Sequence, residues 1–122
     1  PIPSHDWSRE AAVANECAYE IDPPAFAPYR SSIFAQQAGI NVTNVRDRLL
    51  DLGEQAGINR LRLAGCLDAK STMPKIDADY NEALKLQVFF TPTCFIDGYP
   101  VVGNAPPEEF YRIIDADLRR AK

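Results

Sequence analysis

Four features of the 122-residue sequence could do chemistry: Cys17, Cys66, Cys94, and the Thr91-Pro92-Thr93 tripeptide inside the apolar run LQVFFTPTCFIDGYPVVG at 86–103. The cysteines form no Cys-x-x-Cys, no Cys-x-x-His and no metal-ligand spacing, and His5 is the one histidine. A zinc site would have to use several carboxylates, where zinc favours sulfur and imidazole, so neither a metal nor a cofactor is expected. The odd cysteine count implies at least one free thiol, or a partner cysteine elsewhere. The proline is stranger, because it cannot donate to a strand ladder yet sits in the most strand-like segment. It is either a plain strand-entry proline or a bend shaped for a task.

Composition narrows the classes. With net charge −4, 46% hydrophobic and 25% charged residues and no long basic run, the chain is an ordinary globular domain without a nucleic-acid role. No apolar stretch approaches a membrane span. Pro1-Ile2-Pro3 reads as an extended lead-out, neither a signal peptide nor an initiator context, and so as the continuation of a longer chain.

The elements that must position these residues change character near residue 88. Before it, helical spacing dominates. Residues 6–20 form an alanine-striped helix capped by Asp6 or Ser8. A second starts at Pro23-Pro24, buries Phe26, Tyr29, Ile33 and Phe34, and closes at Gly39. Val45, Leu49, Leu52 and Ala56 mark a third that ends at Gly57; a fourth carries Leu61, Leu63 and Cys66. A fifth, capped by Ser71 or Thr72, turns Ile76, Tyr80, Ala83 and Leu84 inward. Arg46, Arg48, Arg60 and Arg62 are solvated, with Asp47 and Asp51 as partners. His5 is a surface or capping residue, and Trp7 is core.

From 88 onward the period is two. Asp97-Gly98 favours a type I′ turn between two short strands, and Pro100 suggests an edge. A last helix starts at Pro106 or Pro107, with Glu108-Glu109 at its positive end and Arg119-Arg120 at its negative end. Both faces of the first strand are apolar, as in a central strand covered by helices. One hairpin is too small a sheet to stand alone, so further strands are expected from outside the sequence. The resulting organisation is a helical subdomain at 1–87 and a ββα unit at 88–122.

At this point VFFTPTCFIDGYPVVGNAPPEEFYRIIDADL resembles the C-terminal two-thirds of a DsbA-like thioredoxin-fold oxidoreductase. Upstream, HDWSREAAVANECAYE, PYRSSIFAQQ and GCLDAK look like that family's helical insertion. The His5-Asp6-Trp7 start and NVRDRLLDL look most like DsbA domains fused behind a bacterial vitamin K epoxide reductase homologue. The resemblance implies an α/β, thioredoxin-like (DsbA-type) fold, incomplete here: about five helices, a β-hairpin and a C-terminal helix. It implies a cis Thr91-Pro92 peptide that leaves backbone groups of residue 91 free for an extended substrate segment. It also implies a structural disulfide between Cys17 and Cys66, as in relatives from oxidising compartments; two separate buried thiols are the alternative. Cys94 is either a strand thiol packed as a small hydrophobe or a thiol near the active site.

The family's Cys-x-x-Cys is absent from this sequence, so no catalytic residue is expected in the chain itself and dithiol exchange needs an upstream segment. The implied partners are protein thiols and disulfides, with that segment or another copy pairing with the hairpin. The narrower resemblance adds a membrane domain that reduces quinone and an extracytoplasmic, periplasmic location. Two competitors stay open: a DsbA-fold glutathione transferase or isomerase acting on small molecules, and a non-catalytic interaction module. The sequence departs from the family at Gln87 and Phe90, where glycine and a small residue are usual.

Overall fold

A proline disfavours the helical region for the residue before it, and at Asp22 that bias separates the first two helices. Asp22 is extended (φ −153°, ψ 85°) between α1 (Ser8–Ile21) and α2 (Pro23–Gln36). In the computed structural model, which describes residues 6–121, a 3₁₀ turn (Gln37–Gly39) then closes α2. It is followed by α3 (Val45–Gln55), α4 (Arg60–Ala69), α5 (Met73–Lys85), β1 (Thr93–Ile96), β2 (Tyr99–Val102) and α6 (Pro107–Arg120). The fold is mixed α/β and mostly helical, with one two-stranded antiparallel sheet among the described residues. Two compact units divide between Asp79 and Tyr80, within α5. His5 and the Pro1-Ile2-Pro3 lead-out lie outside the described residues.

In the helical unit, alanines on α1 let other helices approach closely. Ala14, Cys17 and Ala18 are fully buried, as are Tyr29 of α2, Leu49 and Leu52 of α3 and Leu63 of α4. The Tyr29 hydroxyl donates to the Leu49 carbonyl at 3.1 Å, which satisfies a polar group in an apolar core. Burial raises the Tyr29 phenol far above its ordinary pKa, so it stays protonated. Between α3 and α4 the packing is tight at Gly53, where a Cβ would come within 2.4 Å of Leu63 Cδ2 and force that fully buried side chain to shift.

Cys17 and Cys66 are joined by a disulfide with Cα atoms 6.0 Å apart, linking α1 to α4 across 49 residues of sequence. Thr72 is fully buried beside it, and its hydroxyl donates to the Val13 carbonyl at 3.2 Å. The surface carries exposed ion pairs: Arg9 with Asp77, and Lys75 with both Glu16 and Glu20 at 2.7 Å. Hydrogen bonds that it donates to those two glutamates raise the Lys75 ammonium above its usual pKa.

Several sequence expectations are corrected here. Neither Asp6 nor Ser8 caps α1: Trp7 is the N-cap, in helical conformation (φ −80°, ψ −9°), where a side chain cannot cap, and it is held by burial. Neither Ser71 nor Thr72 caps α5: the Thr72 hydroxyl is turned to the Val13 carbonyl, Ser71 Oγ lies 3.1 Å from Cys66 Sγ, and neither hydroxyl oxygen accepts a backbone N–H of the helix. On α2 the buried stripe is Ala25, Tyr29 and Ile33. Phe34, about 140° around the helix from Tyr29, is 58% exposed under the Arg30 guanidinium. Phe26 is only half-buried and meets Tyr19 edge-on. Leu61 is 83% exposed because Leu63 and Leu67 own the inner face of α4. Arg46 pairs with Asp68 at 2.8 Å rather than with Asp47, since adjacent helix residues do not face each other. Tyr80 and Leu84 continue the Ile76 stripe along α5 but stay exposed.

The second unit opens on the end of α5. Gln87 takes the left-handed conformation (φ 57°), its N–H meets the Leu84 carbonyl at 3.1 Å, and Val88 N–H meets Ala83 at 2.9 Å. This is a Schellman closure, the same pattern Gly57 makes at the end of α3, but built on a residue with a Cβ. In the hairpin, Asp97 (φ 45°) and Gly98 (φ 79°) form the expected two-residue turn with positive φ at both positions. β1 pairs only with β2, and Cys94 and Phe95 are exposed. The covered central strand is therefore not what the described residues form: one neighbour leaves the outer edge of β1 unpaired. Val101 is the one hydrophobic residue buried among the described residues from Tyr80 onward.

Four outcomes check this packing by urea unfolding. Gly53→Ala should destabilise, because overpacking of about 1–3 kcal/mol exceeds the helix-propensity gain of about 1 kcal/mol. Gln87→Gly should stabilise by about 1 kcal/mol by relieving a left-handed Cβ. Removing the disulfide by the Cys17→Ser, Cys66→Ser double substitution should cost about 4 kcal/mol on the chain-entropy relation for a loop of this size. Cys94→Ser should leave stability unchanged.

Candidate functional site

The hairpin register decides what Pro92 does. A two-residue turn closes on a hydrogen-bonded pair, Ile96 with Tyr99, and bonded pairs alternate along an antiparallel ladder. Cys94 with Val101 is then bonded, and Pro100, opposite Phe95, sits where its missing N–H faces away from β1. Stepping on, Gly103 donates to the Pro92 carbonyl at 2.7 Å. Pro92 thus accepts from the ladder but cannot give the return bond. The Gly103 carbonyl takes Ala105 N–H at 3.0 Å instead.

Before the proline the chain has left the ladder. The Thr91-Pro92 peptide is cis. Thr91 is exposed, and neither its N–H nor its carbonyl has a hydrogen-bond partner among the described residues. The loop is nonetheless tied down on both sides: the Thr93 hydroxyl donates to the Phe90 carbonyl at 2.5 Å, and the Schellman closure holds Gln87 and Val88. Phe89 and Phe90 are each 70% exposed. The result is a fixed strand end with the Thr91 donor and acceptor open and two aromatic rings beside them.

Thr91, Pro92 and Cys94 therefore belong to one short segment. Cys94 lies two residues past the proline, opposite Val101, and its thiol is exposed and unpaired, so it is not a buried strand hydrophobe. Cys17 and Cys66 lie in the helical unit and are consumed by their disulfide. A cavity of about 430 Å³ between β2 and α6 is lined by Tyr99, Val101, Ile113 and the Glu109–Arg112 pair. A two-pronged hydrogen bond at 2.6 and 3.1 Å joins that pair, holding the Glu109 carboxyl below and the Arg112 guanidinium above their usual pKa values. The pair is solvent-exposed and lies three residues apart on α6, the geometry of an ordinary helix-surface ion pair. Among the described residues no group of three or more His, Cys, Asp or Glu converges as a metal site, and no helix is long and apolar enough to cross a membrane.

Sequence reasoning did not anticipate the open aromatic pair, nor the left-handed Gln87. The signal was present as bulky residues at Gln87 and Phe90 where the resembled family has small ones. No curated protein and no solved structure matches the chain significantly. A family model described as thioredoxin matches residues 1–116, from the helical unit through the Thr-Pro-Thr hairpin and into the last helix. A match of that extent makes the chain a member of the thioredoxin family.

Proposed function

We propose that this chain is the substrate-orienting part of a DsbA-like thiol–disulfide oxidoreductase whose dithiol lies in a segment outside these 122 residues. The observation that carries this reading is the unpartnered Thr91 backbone next to Pro92, in a member of the thioredoxin family. An extended substrate can add to that strand end, donating to and accepting from Thr91, which fixes its cysteine against the enzyme's sulfur. Pro92 presents a donor-free ring there, so no backbone N–H competes for a nearby thiolate.

The chemistry is a two-step exchange. A substrate thiolate attacks the oxidised Cys-x-x-Cys, one S–S bond breaks as a mixed disulfide forms, and the second cysteine leaves as a thiolate. The substrate's second thiolate then attacks the mixed disulfide. Two substrate thiols become one disulfide, the enzyme disulfide becomes a dithiol, and the two protons lost by the substrate thiols end on the enzyme's thiols. The Cys17–Cys66 bond supports an oxidising, extracytoplasmic compartment, where such a cross-link persists. Reoxidation would fall to a quinone-reducing membrane domain of the vitamin K epoxide reductase type.

Oxidation of a two-cysteine peptide tests this. The 122-residue chain alone should not turn over, whereas the polypeptide that joins it to its natural Cys-x-x-Cys segment should. In the latter, Thr91→Pro removes the donor and should lower kcat/KM about tenfold, mainly through KM. Turnover by the chain alone, or an unchanged kcat/KM in Thr91→Pro, contradicts the reading.

A further inference from the structure

We propose that Phe89 and Phe90 select the substrate: they favour extended polypeptide segments with uncharged, aromatic or large aliphatic residues flanking the reacting cysteine. This rests on the strand-addition reading of Thr91 and deepens it. Two observations point to this class. Both rings are 70% exposed immediately before Thr91, whose N–H and carbonyl are both open. The whole stretch 86–96 carries no charged side chain, in a protein where 25% of residues are charged.

An incoming strand at Thr91 places its neighbouring side chains within cross-strand reach, about 4.5–5.5 Å between Cβ atoms, of the residues beside it. With no charge to pair or to solvate a charged partner, contact is favourable only for side chains that gain by leaving water. Aromatic partners gain most, since ring pairs attract beyond their buried area. The bonds at Thr93–Phe90 and at the end of α5 hold the loop in place, so little ordering is left for the substrate to impose. Phe89 and Phe90 are specificity residues here; the backbone of Thr91 supplies register, and the rings supply preference.

The test uses the 122-residue chain, isotope-labelled, and two nine-residue peptides with serine in place of the central cysteine. One peptide has phenylalanine on both sides of that serine and the other has asparagine. Both should shift the Thr91 amide resonance, with the phenylalanine peptide binding about tenfold more tightly. Phe89→Ser with Phe90→Ser should abolish that preference, and Phe89→Leu with Phe90→Leu should keep most of it. The leucine pair also guards against a folding defect in the serine pair. Equal affinities with the Thr91 amide still shifted overturn this proposal and leave the strand-addition reading intact. No shift at Thr91 with either peptide overturns both. A dimer that buries Phe89 and Phe90 and is not displaced by peptide also overturns the proposal.

Discussion

A proline nitrogen has no proton to give, and the second unit of this protein is arranged around that deficit. Pro92 occupies a position where an ordinary residue would exchange two hydrogen bonds with Gly103. It makes one, at 2.7 Å, and the Gly103 carbonyl turns to Ala105. Pairing stops there, and Thr91 keeps both backbone groups open. The same deficit at Pro100 is harmless, because the alternation of the ladder points that nitrogen away from β1. Two prolines in one hairpin thus have opposite consequences, decided by register alone.

The two units solve the stability problem differently. Residues up to Asp79 gather nearly all of the buried hydrophobics, a buried tyrosine with a satisfied hydroxyl, and a cross-link between α1 and α4. Residues from Tyr80 onward bury Val101 and leave Phe89, Phe90, Phe95 and Tyr99 largely open. A two-stranded hairpin with one helix buries too little apolar surface to be strongly stable alone. A surface so poor in burial and so rich in unsatisfied strand edge is suited to meeting another polypeptide.

Much of this was legible in sequence because local rules sufficed. Pro23-Pro24 marks a helix start, Gly57 a helix end, and Asp97-Gly98 a tight turn; each acts within a few residues, and each stands where it was expected. The failures come from choices that depend on distant partners. Phe34 and Leu61 have helical spacing to the core, but Ile33 and Leu63 occupy the inner positions. Thr72 has the chemistry of a cap, yet a carbonyl 59 residues away claims its hydroxyl. The exposure of Cys94 and Phe95 beside a single neighbouring strand, by contrast, agrees with the expectation that the strands covering β1 are not among these residues. At the site, the Thr-Pro-Thr motif was readable, but the openness of Thr91 depends on hydrogen bonds made and not made around it.

Amide hydrogen exchange at single-residue resolution, with and without excess of an extended peptide, tests the central claim most directly. Thr91 should exchange freely in the chain alone and become protected when peptide is added, while Gly103 stays protected throughout. A Thr91 amide already protected in the chain alone, or one that peptide leaves untouched, would contradict that claim.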